Sequence, residues 1–180
     1  MPNTTIEEDF LAQSRSYLAV EYRAKVRAAV EALPADALWW RANEQSNSVG
    51  NLLLHLAGNV RQWIVGGVGR AATVRDRAAE FAAQSGQNAS DLLAALDRTL
   101  DEADAVLATL TTADLASRRT IQGRELTVFE AVYHVVEHFS MHTGQIILVA
   151  KLHAPGAVRF YEDAGGLAQP IWRGSGASTI

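Results

Sequence analysis

The chain has 180 residues, 16 lysines and arginines, 20 aspartates and glutamates, 5 histidines and no cysteine, for a formal net charge of -4. This length fits one hydrophobic core, and 48% hydrophobic against 20% charged residues excludes a disordered chain. The acidic balance, without a dense Lys/Arg stripe, speaks against a nucleic-acid partner, and the missing cysteines exclude disulfides, thiolate metal sites and a protein-borne sulfur nucleophile.

The opening MPNTTIEEDF is acidic where a secretory signal needs a basic start and an apolar run, so a cytoplasmic protein is expected. Thr5 and Glu8 have the spacing of a capping box. Phe10, Leu11, Tyr17, Leu18, Tyr22, Val26 and Val30 then recur at helical intervals, which predicts a first helix over residues 5–32 before Pro34. The loop from Pro34 to Ser48 offers Asn43, Ser46, Asn47 and Ser48 as caps. Leu52, Leu53, Leu56, Val60, Trp63 and Ile64 form the apolar part of a second helix ending near Gly66-Gly67. Gly69 to Asn88 is polar, alanine-rich and contains arginines, which suits a long crossover with room for a helical turn.

Ser90 precedes a third helix marked by Leu92, Leu93, Leu96, Leu100, Val106, Leu107 and Leu110, with Asp91, Asp97, Asp101, Glu102 and Asp104 on a face expected to be solvated. Gln122-Gly123 reads as a turn, and Thr127 with Glu130 repeats the capping-box spacing at the head of a fourth helix that runs to about Leu152. That helix is apolar, but its three histidines, two glutamates, Gln145 and Lys151 make it a buried bundle helix, and no membrane association is expected. Four long helices with one long crossover predict an all-α four-helix bundle over residues 1–154. Residues 155–180, rich in glycine and proline, read as an irregular C-terminal extension in which Phe160, Tyr161, Ile171 and Trp172 can pack back on the bundle.

Four of the five histidines fall in two of these helices: His55 in LLLHLAGN, and His134, His138 and His142 in YHVVEHFSMH. At about 100° per residue, positions 134, 138 and 142 form one stripe, turned away from the polar seam of Glu130, Glu137, Gly144 and Lys151. Imidazoles four residues apart have Cβ atoms about 6 Å apart and can share one transition-metal ion. Residues eight apart are separated by about 12 Å along the axis, so the site takes either His134 with His138 or His138 with His142. His138 belongs to both pairs. His55 is the natural third ligand from another helix, although its stripe with Asn51, Asn59 and Gln62 also suits a wet surface. His153 reads as a cation near a helix C-terminus.

Two other metal motifs fit poorly. HVVEH, His134 to His138, matches the HxxEH of inverzincin proteases, but the only later glutamate is Glu162, in the breaker-rich extension. The carboxylate-bridged di-iron bundle needs paired Glu-x-x-His motifs that the sequence lacks.

HLAGN, His55 to Asn59, and EHFSMHTGQI, Glu137 to Ile146, resemble the second- and fourth-helix motifs of the DinB/YfiT-like superfamily of metal-binding four-helix bundles. The resemblance spans the four helices and stops before Pro155. It implies an up-down-down-up bundle with the long crossover between helices two and three. It makes His55, His138 and His142 the metal ligands, with zinc or nickel as the ion, and leaves His134 as a nearby extra histidine. It also implies an enzyme that uses a low-molecular-weight thiol such as bacillithiol or mycothiol for S-transfer to a small electrophile, and a homodimer. Trp39, Trp40 and Trp172, outside the main helices, are read as finishing the monomer's own core.

In that chemistry the cation lowers the pKa of the thiol, and since the chain has no cysteine the thiol is external. Gln145 and Asn59 stand where they can orient a ligand or a bound water, and His134 is the candidate catalytic proton carrier. Two readings compete: a metal-dependent hydrolase in which hydroxide replaces the thiolate, and a non-catalytic metal- or ligand-binding bundle.

Overall fold

The computed structural model describes residues 4–171. Trp172 and the run Gly174-Ser175-Gly176 lie outside the described residues.

The first long helix covers residues 6–31 and is continuous, but its middle, Ser16–Tyr22, is π-helical between the α-helical Ile6–Arg15 and Arg23–Glu31. Thr5 caps it in a full capping box with Glu8. The second long helix, residues 49–68, is α-helical over Val49–Val60 and π-helical over Arg61–Val68, and of the loop's candidate caps Ser48 is the one used. The third, Ala89–Ala108, starts before Ser90 because Asn88 caps it; the fourth, Val128–His153, is capped by Thr127 with Glu130. The crossover between the second and third contains a six-residue helix, Arg77–Ala82.

Side-chain pairs fix the directions. Phe10 meets Phe129 and Tyr22 meets Phe139, so the first and fourth helices are parallel. Arg15 pairs with Asp104 at 2.7 Å and Arg23 with Asp97 at 2.7 Å, so the first and third are antiparallel. Arg61 pairs with Glu102 at 2.8 Å and Trp39 Nε1 donates to the Gln87 carbonyl, so the second helix runs alongside the third in the same direction. The bundle is therefore all-α and up-down-down-up, with the crossover returning the chain along its length. The acidic face of the third helix is not simply solvated: Asp97 is held by both Arg23 and Arg27, and Asp101 by Arg23. Such pairs near the surface contribute little each, but they tie the register of the two helices.

Phe139, Leu52, Leu53, Leu56, Ile64, Leu92, Leu96, Leu100 and Ile146 are fully buried along the bundle axis. At about 1.5–3 kcal/mol for each large apolar side chain, this is the main term holding the helices together. Two hairpins decorate the bundle. Strands β1 (Arg118–Ile121) and β2 (Arg124–Thr127) are antiparallel around Gln122 and Gly123, both at positive φ, the two-residue turn that a glycine makes accessible. In the C-terminal extension, Val158 and Phe160 are buried, and β3 (Tyr161–Ala164) pairs antiparallel with β4 (Leu167–Pro170). Tyr161, Ile171 and Trp40 stay partly exposed, the Tyr161 hydroxyl accepting from Lys25 Nζ of the first helix, while Trp39 packs against the core. No helix among the described residues is long and apolar enough to cross a membrane.

Candidate metal centre

The second and fourth helices run antiparallel, which sets His55 opposite His138 and His142, and Trp63 opposite His134. The Nε2 atom of His138 lies 3.1 Å from Nε2 of His55 and 3.2 Å from Nε2 of His142. One ring nitrogen from each of the three histidines falls within 4.8 Å of the others, so these three can hold a metal ion. Nitrogen ligands about 2.0–2.1 Å from a tetrahedral ion stand roughly 3.3 Å from one another, close to the spacing seen here. Of the two ligand pairs open to the fourth helix, the structure brings His138 and His142 together with His55. His134 is not among the three; its ring lies against Trp63 at 4.1 Å between centroids and 5.5 Å from that of His138.

The far sides of two of these rings are fixed. His55 Nδ1 is 3.0 Å from Glu80 Oε2, and His142 Nδ1 is 2.7 Å from Gln145 Oε1. A carboxylate and an amide oxygen only accept, so both histidines are assigned as Nδ1–H tautomers that leave the Nε2 lone pairs aimed inward. Nδ1 of His138 is buried without a hydrogen-bond partner, as are Asn59 Oδ1 and Trp63 Nε1.

Burial disfavours the charged imidazolium of His138, His55 and His134. It holds His138 down to about 3, helped by the neighbouring rings of His142, His55 and His134 and by Arg75. Burial likewise lowers His55, against the raising effect of Glu80, and lowers His134. Three convergent imidazoles are a donor set that suits divalent transition ions, so the residues present fit such an ion.

Asn51 and Asn59 are not a wet surface: Asn51 is fully buried beneath the crossover and Asn59 is 4% exposed, while Gln62 is half-buried. Asn51 Nδ2 donates to the carbonyls of Glu80 and Ala83, and Arg41 Nη2 donates to those of Phe81 and Ala83. The sequence reading missed what this crossover contributes: Glu80 on His55, Arg75 on Glu80, and Phe81 packed on the His55 ring. Nothing in the spacing links these residues to position 55; the one available signal was that arginines and two acidic residues, Asp76 and Glu80, interrupt an alanine-rich segment. His153, at the end of the fourth helix, meets Trp40 edge-on.

A family model described as protein of unknown function (DUF1572) matches residues 5–159. The chain belongs to this family. Among solved structures it is similar to a DinB-like protein from Bacillus cereus ATCC 10987, at TM-score 0.64 and 16% identity, over 85% of this chain and 97% of that one. It is also similar to a DinB-like protein from Bacillus subtilis, at TM-score 0.59 and 18% identity, over 78% of this chain and 90% of that one. The bundle is thus DinB-like, as the HLAGN and EHFSMHTGQI motifs implied. No curated protein matches the chain.

Proposed function

We propose that the chain is a divalent-metal-dependent enzyme that activates an external low-molecular-weight thiol, such as bacillithiol or mycothiol, for S-transfer to a small electrophile. The observation that carries the reading is the convergence of ring nitrogens from His55, His138 and His142, with no fourth side chain joining them among the described residues. A catalytic ion needs three protein ligands and a position left for an exogenous one. Zinc or nickel suits the all-imidazole set. When bound, such an ion supplies Lewis acidity that lowers the pKa of a coordinated thiol.

The chain's own residues supply the rest. Gln145 steadies His142 and also lines a cavity of about 370 Å³ with Trp40, Asn47, Leu52, Leu148 and Leu152. That volume suits a small molecule, and its apolar walls with a few polar groups suit an electrophile. His134, kept neutral by burial one turn from His138, takes up the proton that the thiol gives away. In the same reading the enzyme works in the cytoplasm as a homodimer, with no nucleic-acid or membrane partner.

The burial of His55 and His142, at 5% and 8% exposure, favours a second reading, a non-catalytic metal-binding bundle. One experiment separates the two. Protein purified without a histidine tag is analysed for metal beside His55→Ala and His138→Ala variants, then incubated with electrophiles and esters, with and without bacillithiol, mycothiol or glutathione. Thiol-dependent turnover lost in both variants supports the transferase. Ester turnover without thiol makes the protein a hydrolase, and bound metal that raises the melting temperature without any turnover leaves the non-catalytic reading.

A further inference from the structure

Glu80 and Arg75 come from the crossover, yet their side chains are nearly as buried as the histidines, at 10% and 7% exposure. Arg75 holds both carboxylate oxygens, Nε to Oε1 at 2.7 Å and Nη2 to Oε2 at 2.7 Å, while its Nη1 donates to Gln62 Oε1 at 3.0 Å on the second helix. Taking such a pair out of water is costly, so its placement calls for a role beyond stability. Its nearest functional neighbour is His55. Both Glu80 Oε2 and Arg75 Nη2 lie 3.0 Å from Nδ1 of that ring. A guanidinium can only donate and a carboxylate can only accept, so the two ask for opposite tautomers. The shorter, charge-assisted bond from Nη2 goes to the carboxylate, which leaves Oε2 to receive the Nδ1 proton.

Room for this arrangement comes from the second helix. Gly58 lies three residues after His55, and a Cβ there would fall on the Glu80 carboxylate and within 2.9 Å of Arg75 Nε. The glycine of HLAGN is thus the gap through which the crossover carboxylate reaches the back of the histidine.

We propose that Glu80, held by Arg75 in the gap left by Gly58, is the positioning residue of the metal centre. It keeps the proton of His55 on Nδ1 and the Nε2 lone pair directed at His138 and His142, and so sets the affinity for a divalent ion. The proposal rests on the three-histidine reading of the site.

Two measurements test it on the full chain: the zinc dissociation constant by chelator competition, and the His55 tautomer by long-range proton–nitrogen NMR of the metal-free protein. Glu80→Gln removes the charge at nearly constant shape, and Gly58→Ala evicts the carboxylate without touching it. Each is expected to raise the zinc dissociation constant about 10–100-fold, the range for a lost partner behind a metal-bound histidine. Each is also expected to shift His55 away from the Nδ1–H form that dominates in the unaltered chain. A carboxylate that merely pinned the crossover would leave the tautomer unmoved. Either readout unchanged in Glu80→Gln, or an unaltered chain that already carries its proton on Nε2, overturns the proposal. Failure of the metal reading looks different: the unaltered chain itself binds no zinc, which overturns the claim on affinity whatever the tautomer shows.

Discussion

Nε2 of His55 and Nε2 of His138 lie 3.1 Å apart, with Nε2 of His142 a further 3.2 Å from the same His138 atom. A single proton on His138 can satisfy one of these neighbours, which leaves the other contact lone pair to lone pair. A shared cation satisfies both at once. Metal analysis is therefore expected to find stoichiometric zinc or nickel in the unaltered chain and near none in His138→Ala. His134→Ala, which removes a ring outside the ligand set, is expected to keep its metal.

His134→Ala separates binding from catalysis. If the neutral ring beside Trp63 carries the thiol proton, thiol-dependent turnover falls by about 10²–10⁴-fold at unchanged metal content. Steady-state kinetics of the metal-loaded variant with bacillithiol or mycothiol gives the answer, and unchanged turnover removes His134 from the mechanism.

The acid side of the stability profile follows from the depressed histidines. His138 titrates near 3 in the fold against 6.5 when unperturbed, and His55 is shifted in the same direction. Between about 3 and 6.5 the unfolded chain binds more protons than the native one, so stability rises with pH across that window and is fully present above it. Denaturant titrations of the metal-free protein are expected to show a loss as pH falls from 6.5 toward 3. His138→Gln is expected to flatten that slope.

Phe139 follows His138 directly, is fully buried and stacks on Tyr22 at 5.9 Å between centroids. Phe139→Ala is expected to cost about 3–5 kcal/mol in denaturant unfolding. Because the ligand stripe and the core stripe share one helix, the same variant should also loosen the metal, visible as faster loss to a chelator.

Asn51 closes the cap of the second helix with Ser48 and donates to the Glu80 and Ala83 carbonyls. Asn51→Ala strands these buried acceptors and is expected to cost about 1–3 kcal/mol. Limited proteolysis should then cut within the crossover, ahead of the helices.

The four helices were readable because each carries a cap and an apolar stripe: Thr5 with Glu8 and Thr127 with Glu130 mark starts that local hydrogen bonding alone decides. The grouping of His138 with His142 was open to spacing, and the choice of His55 over a wet-surface role came from the motif likeness. The π-helical stretches at Ser16–Tyr22 and Arg61–Val68 were not readable, since the same side chains suit α and π geometry and packing selects between them. Arg75 and Glu80 were hidden for another reason: they lie 20 and 25 residues from His55, in a segment without periodicity.

The second and third helices point the same way, so the polypeptide must travel back along the bundle before the third can begin. That homeward leg is what lays an arginine and a glutamate behind a histidine of the outbound helix. A bundle of the same four rods joined by tight turns would have no strand of polypeptide there, and the rear of residue 55 would face solvent. Chain routing, rather than any motif in the helices, thus delivers the outer layer of the centre.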